Sequence, residues 1–266
     1  MPNWDANQYL KFEAERTRPA RDLANAVLLH PRTVLDAGCG PGNSTAVLAE
    51  KWPDAALTGL DSSADMLRQA QEALPAVPFV QRDLRGDLQD LGRFDLVFSN
   101  AVLQWMPDPD ETVLRLFALV EPGGALAVQV PCSKPQRDYG PRLESREVHT
   151  ALQQTAQELP YAVYVSNTAR LWEMTEEKIE TLLLDQAVHL EVWETAYLHR
   201  LRGYEGLLDW YRGTGLRPYL EALPEALRHP FEQEVLDKLR KRYPTGRDGV
   251  LNFWFRRFFA VAYKPT

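Results

Sequence analysis

Val34-Leu35-Asp36-Ala37-Gly38-Cys39-Gly40-Pro41-Gly42-Asn43-Ser44-Thr45 is the stretch whose reading decides the fold. A short apolar run passes into spaced glycines and then into residues able to start a helix, so the segment reads as strand, turn, helix. Glycines at such a turn let the backbone approach a ligand, and open parallel sheets bind ligands outside the carboxyl ends of their strands. A dinucleotide turn needs a further glycine where this chain has Asn43, and Pro41 has no N–H to offer a diphosphate. The turn therefore suits a phosphate-free nucleoside better than a nicotinamide dinucleotide, which counts against an oxidoreductase.

Working outward, the same rhythm repeats from about Arg32 to Val130. Apolar runs occur at Thr33-Val34-Leu35-Asp36, Ala56 to Asp61, Phe79-Val80, Phe94 to Phe98 and Ala125 to Val130. Short, continuous and rich in Val, Leu and Phe, they read as strands buried on both faces. Between them lie helical patterns. One carries Met66, Leu67, Ala70, Ala73 and Leu74 behind the capping candidates Ser62 and Ser63; another carries Val113, Leu114, Phe117 and Val120 behind Asp108 and Asp110. Strand and helix in alternation imply a parallel α/β sheet with right-handed crossovers. Beyond Pro131 the pattern changes: 132–185 and 203–249 read as helical insertions, separated and followed by strands expected at His189 to Trp193 and Phe253 to Tyr263. The expected organisation is one domain over 1–266, with an amino-terminal helical segment 1–31, a ligand-binding core 32–131 and closing strands within 186–202 and 250–266.

The formal net charge of -7 and pI near 5.4 argue against nucleic acid or an anionic membrane as partner. No apolar run approaches the ~20 residues that span a bilayer, and Met1 to Lys11 lacks the build of a signal peptide, so a cytoplasmic location is expected. Two cysteines, Cys39 and Cys132, make neither a disulfide framework nor a thiolate zinc site. His149, His189 and His199 are scattered without ligand spacing, and no metal is expected. Nothing in the sequence assigns an oligomeric state.

Later residues extend the glycine turn into a site. Asp61 ends the second strand about twenty residues on, where one carboxylate can accept from both hydroxyls of a ribose, with Ser62 beside it. Asp83-Leu84 follows the third strand, Ser99-Asn100-Ala101-Val102-Leu103-Gln104-Trp105 ends the fourth, and Glu121-Pro122-Gly123-Gly124 introduces the fifth. Taken singly, an Asp at a strand end is more often a cap or turn former, and Leu103 and Trp105 are ordinary core residues. Their order along the chain is what carries the reading. It resembles the class I S-adenosylmethionine-dependent methyltransferases, with a doubly wound, Rossmann-like sheet of seven strands and the last strand antiparallel beside the fifth. The resemblance implies S-adenosyl-L-methionine as cofactor and S-adenosyl-L-homocysteine as product. It assigns cofactor binding to Asp36, Gly38, Gly40, Gly42, Asp61, Ser62, Asp83, Leu84 and Asn100, with Asp83 near the adenine amino group and Leu84 along the ring.

Trp4, Tyr9, Phe12, Arg16, Arg18 and Pro19, then Gly38 to Thr45 and Leu103-Gln104-Trp105, then Thr214-Gly215-Leu216-Arg217-Pro218 are similar to the trans-aconitate 2-methyltransferases. That family esterifies a carboxylate of a small tricarboxylate. After the fifth strand the chain departs from the family's Pro-Asp-Asn-like continuation, with Pro131-Cys132-Ser133-Lys134-Pro135-Gln136 in its place. Charge logic then makes Arg16, Arg18 and Arg217 candidate carboxylate holders, because arginine's planar fork matches a carboxylate; ordinary surface pairing is the alternative for each. Tyr9, Gln104 and Trp105 are the candidate pocket lining, while Trp210, which could line the pocket or fill the core, is not favoured as lining. No catalytic acid or base is expected, since a carboxylate acceptor is already ionised at neutral pH. The competing readings are a methyltransferase for another O, N or C acceptor, which for O–H or C–H would need a base, and a non-catalytic protein that only binds the cofactor.

Overall fold

Five short parallel strands carry the first half of the chain: β1 (Thr33–Ala37), β2 (Ala56–Asp61), β3 (Phe79–Gln81), β4 (Phe94–Asn100) and β5 (Val120–Cys132). The computed structural model describes residues 13–132, 142–165 and 176–266, apart from the side chains of 13–16 and 176. β1 pairs in parallel with β2 and with β4, β2 with β3, and β4 with β5. The order β3-β2-β1-β4-β5 means the chain winds outward in one direction from β1 and then returns to wind the other way. Right-handed crossovers on either side of β1 place their helices on opposite faces, and the gap between β1 and β4 is the topological switch point. Val34, Leu35, Leu96, Val97, Phe98, Leu126, Ala127 and Val128 are all buried, as strands covered on both faces require.

The helices are α1 (Glu13–Ala26), α2 (Asn43–Lys51), α3 (Ala64–Ala73) and α4 (Pro109–Ala118). Ser63 caps α3 as expected, its Oγ accepting from the Met66 N–H at 3.4 Å. At α4 the expectation fails in detail. Asp108 occupies the cap position but its carboxylate caps nothing; instead its carbonyl accepts from the N–H and the Oγ1 of Thr112, at 3.1 and 2.8 Å, while Pro109 fixes the first turn.

The chain divides into two compact units, the first holding the described residues 13–131, 176–195 and 257–266, the second 132, 142–165 and 196–256. In the first unit, Gly123 donates to the Pro265 carbonyl and Lys264 to the Gly124 carbonyl, at 3.0 and 2.9 Å. The start of β5 thus lies against the end of β8 (Val250–Tyr263), and the two run in opposite directions. β7 (His189–Arg202) pairs β8, and Trp193 stacks on Phe259 with centroids 4.9 Å apart. Helix α7 (Glu176–Leu183) also belongs here, with Ile179 and Leu183 buried.

The second unit holds an eighth strand, β6 (Leu143–Glu144), parallel to β8 at Phe253 and Trp254, in a region read from the sequence as wholly helical. Two residues are too few to show a periodicity. Around it lie α5 (Ser145–Ala156), α6 (Ala162–Val165), α8 (Gly203–Arg212), α9 (Arg217–Ala222) and α10 (Glu225–Arg240). β7 is much longer than the expected strand, and Tyr197, His199 and Leu201 are its buried positions, whereas Val188 just before it is exposed. The Val188-Leu190-Val192 alternation that suggested the strand is therefore not what anchors it. Arg212 grips Glu232 through Nε and Nη2, at 2.8 and 2.7 Å, holding α8 to α10.

Candidate cofactor and acceptor site

The turn after β1 is tied down by its neighbour strand: the N–H groups of Gly38 and Cys39 both donate to the Leu60 carbonyl, at 2.7 and 2.9 Å. Gly38 has φ +81°, and a Cβ there would lie 2.4 Å from Cγ2 of Val102. Gly40 has φ +54° but a Cβ there would meet nothing within 4 Å, so its backbone borders open space. Gly42 does different work; its Cβ would lie 3.3 Å from the Ala70 Cα, so its bareness lets α2 start against α3.

Asp61, at the end of β2, accepts from the Gly40 N–H at 3.0 Å through one oxygen and from the Ser63 N–H at 2.9 Å through the other. Burial pushes its pKa up. The Ser62 N–H is directed at the same carboxylate, and with about four acceptor positions on the group a lone pair is left for a ligand donor such as a ribose hydroxyl. Ser62 lies between, its carbonyl accepting from Gln81 Nε2 at 3.1 Å.

Asp36 is fully buried on β1, and Ser44 Oγ and Thr45 Oγ1 both donate to its Oδ2, at 2.7 and 2.6 Å. These two bonds clamp the first turn of α2 to the strand. Its Oδ1 has no partner, and burial pushes the group's pKa up to about 6. A buried carboxylate oxygen with no donor is costly, so a donor from a ligand, above all an ammonium, is what this position lacks. The orphaned oxygen, the open space at Gly40 and the desolvated Asp61 together fit S-adenosylmethionine, which has an α-ammonium and a ribose diol and no phosphate.

Asp83 sits two residues past β3, its carboxylate gripped by Arg85, whose guanidinium holds its pKa below the usual range. An adenine amino group would share that carboxylate with Arg85. Leu84 is buried.

At the ends of β4 and β5 the side chains are amides. Asn100 is in register with Gln129 across the parallel pair, and the Ala101 N–H donates to the Gln129 carbonyl at 2.8 Å. Ala101 has φ +59°, a strained conformation for a residue with a Cβ, and Gln104 Nε2 holds its carbonyl at 2.7 Å. Oδ1 of Asn100, Oε1 of Gln104 and both polar atoms of Gln129 are buried without a partner.

The pattern of the Methyltransferase domain family matches residues 34–124. A protein of Azoarcus sp. (strain BH72) named trans-aconitate 2-methyltransferase is 42% identical, over 98% of this chain and 99% of its own length. One of the same name from Rhodopseudomonas palustris (strain BisB18) is 39% identical over 99% of this chain and 100% of its own. The chain belongs to the trans-aconitate 2-methyltransferase family. Among solved structures, Haemonchus contortus phosphoethanolamine N-methyltransferase 2, in complex with phosphomonomethylethanolamine and S-adenosylhomocysteine, shares the fold at TM-score 0.53 and 18% identity, covering 94% of this chain and 53% of that one.

The acceptor-side candidates of this methyltransferase fall in different places. Tyr9 lies outside the described residues, and Arg16 falls in α1 with its side chain undescribed. Arg18 is exposed on α1. Trp105 is half-buried and Gln104 buried in the single turn Leu103–Trp105 that follows β4. In the second unit, Arg217 opens α9 and pairs with Glu221 at 2.6 Å. Trp210 is core, 2% exposed, with its ring 4.5 Å from that of His199. His149 is also a packing residue, edge-on to Tyr211, and burial lowers its pKa to about 4. Among the described residues, no group of three or more His, Cys, Asp or Glu could hold a metal ion.

Gln129 escaped the sequence reading. The signal was present: a lone amide in the apolar run Ala125-Leu126-Ala127-Val128-Gln129-Val130, at the carboxyl end of a strand. A strand buried on both faces should exclude such a residue unless something binds it.

Proposed function

We propose that this chain methylates a carboxylate of trans-aconitate with S-adenosylmethionine, giving the monomethyl ester and S-adenosylhomocysteine. The observation that carries this reading is the near full-length likeness to proteins of that name, which spans the cofactor turn and the helical segments alike. The residue chemistry supports it. The ends of β4 and β5, Ser99 to Trp105 and Val128 to Cys132, carry amides and no carboxylate or imidazole, and the Cys132 thiol is buried. An acceptor with an O–H or C–H to activate needs a base; a carboxylate of pKa about 4 does not.

S-adenosylmethionine supplies a methyl on a sulfonium, which a carboxylate oxygen takes by forming the C–O bond as the C–S pair stays on sulfur. The chain's part is positioning. Asp61 with Gly40 holds the ribose, Gly38 keeps the turn close to Val102, and Asp36 Oδ1 receives the ammonium. Asp83, Leu84 and Ser62 are assigned to the adenosine side and Asn100 to the methionine side. Gln104 and Trp105 line the acceptor, and Arg18 and Arg217, with Arg16 and Tyr9, are the candidate groups for its remaining carboxylates. In this reading 32–131 holds the cofactor, while 132–185 and 203–249 serve acceptor selection within one functional domain, 1–266. The partner is a small anion rather than nucleic acid, in keeping with the net charge of -7. Among the described residues no helix is long and apolar enough to cross a membrane, and both cysteines are free thiols, in keeping with a cytoplasmic enzyme.

The test is transfer of labelled methyl to trans-aconitate, cis-aconitate, citrate, isocitrate and monocarboxylates, with products identified by mass. Preference for trans-aconitate with an ester product is expected. Cofactor binding with no labelled acid would reject this substrate.

A further inference from the structure

We propose that Gln129, on β5, is an acceptor-binding residue whose side-chain amide donates a hydrogen bond to the carboxylate that is methylated. The inference rests on the carboxylate reading above. Gln129 is 1% exposed, yet neither Oε1 nor Nε2 has a partner. A buried polar group that nothing ever pairs with is costly, so an amide retained inside an apolar strand points to a ligand. Strand order says which ligand. Asp61 is on β2 and Gln129 on β5, separated by β1 and β4. Three steps of about 4.8 Å put the two strands roughly 14 Å apart. With the nucleoside held at β2 and the turn after β1, β5 is left for the molecule beyond the transferred methyl.

The donor type agrees. The other buried, unpartnered amide atoms at these strand ends, Asn100 Oδ1 and Gln104 Oε1, are acceptors, and Gln104 Nε2 is already committed to the Ala101 carbonyl. Gln129 Nε2 is thus the donor among these buried, unpartnered atoms, and an anionic acceptor needs donors. A neutral amide also suits the chemistry better than a guanidinium would. It can fix one carboxylate oxygen while withdrawing little electron density from the other, which must attack. Once the ester forms, the charge-assisted bond becomes a neutral one of roughly half the strength, which favours product release.

The experiment compares wild type with Gln129→Met, which keeps length without the amide, and Gln129→Glu, which is isosteric but anionic. Three quantities are measured for each: melting temperature, S-adenosylhomocysteine Kd by calorimetry, and kcat and KM for trans-aconitate by labelled transfer. Gln129→Met is expected to raise acceptor KM roughly tenfold to a hundredfold. Gln129→Glu should raise it further at pH 7.5, and lowering the pH toward 5 should relieve the excess as the new carboxyl protonates. Cofactor Kd should stay within twofold in both. Unchanged acceptor KM in a folded variant overturns the proposal. So does a weakened cofactor Kd with acceptor KM intact, which would assign the amide to the methionine end. If the buried charge prevents Gln129→Glu from folding, Gln129→Met decides. Failure of the carboxylate reading itself shows in wild type alone, as no transfer to any acid.

Discussion

Asp61→Ala removes a carboxylate that does two jobs, and the structure allows them to be measured apart. Toward the ligand, it removes an ionised acceptor for the ribose. Hydrogen bonds to a charged group contribute about 1.5–3 kcal/mol net, and a decade of affinity corresponds to ~1.4 kcal/mol, so S-adenosylhomocysteine Kd should rise roughly 10- to 150-fold. Toward the fold, it removes the acceptor for the Gly40 and Ser63 N–H groups, bonded at 3.0 and 2.9 Å. Losing these partly buried bonds should lower stability by about 1–3 kcal/mol. Calorimetric titration well below the melting temperature isolates the first effect, and thermal denaturation without ligand isolates the second. Asp61→Asn keeps an acceptor oxygen and should be intermediate in both. A Kd within twofold of wild type would remove the ribose from β2 and with it the alignment of the whole cofactor.

Asp36 gives a pH dependence. Its folded pKa is raised to about 6 from an ordinary 3.8, so the folded state holds the proton more tightly. Ligand-free stability from this group should therefore fall as pH rises from about 4 to 6, by about 3 kcal/mol in all, while affinity for an ammonium-bearing ligand rises over the same window. Asp36→Asn should flatten both curves; denaturation and calorimetry as a function of pH check it. The two glycines should separate fold from binding. Gly38→Ala drives a Cβ into Val102 and should destabilise by a few kcal/mol, whereas Gly40→Ala meets nothing within 4 Å and should cost only about 1 kcal/mol of backbone strain while still weakening cofactor binding. Melting temperatures alongside Kd values test this. Arg217→Ala should raise acceptor KM and leave cofactor Kd nearly unchanged, with some stability lost along with the Glu221 pair and the packing of the largely buried side chain. Unaltered acceptor kinetics would reject its role.

Local chemistry made much of this protein legible before any coordinates. The run from Val34 to Thr45 announces strand, turn and helix because each requires a different residue type, and β1, β2 and β3 begin where their apolar runs begin. Asp61 could be assigned from its distance past the glycines, because in a parallel sheet that distance is one helix and one strand. The tertiary structure decided what depends on partners distant in sequence. It turned Gly42 into a packing residue against Ala70, showed Thr112 rather than the Asp108 carboxylate securing α4, and added β6, which as two residues exists only because β8 pairs with it. It also split Asp36 into one oxygen that clamps α2 and one left without a donor. Gln129 is the sharpest case. A glutamine in a sequence is an ordinary residue; only when parallel pairing beside Asn100 and burial on β5 deny it water does its unpaired amide become evidence of a ligand, because the cost of an unmet hydrogen bond arises in the folded interior and nowhere else.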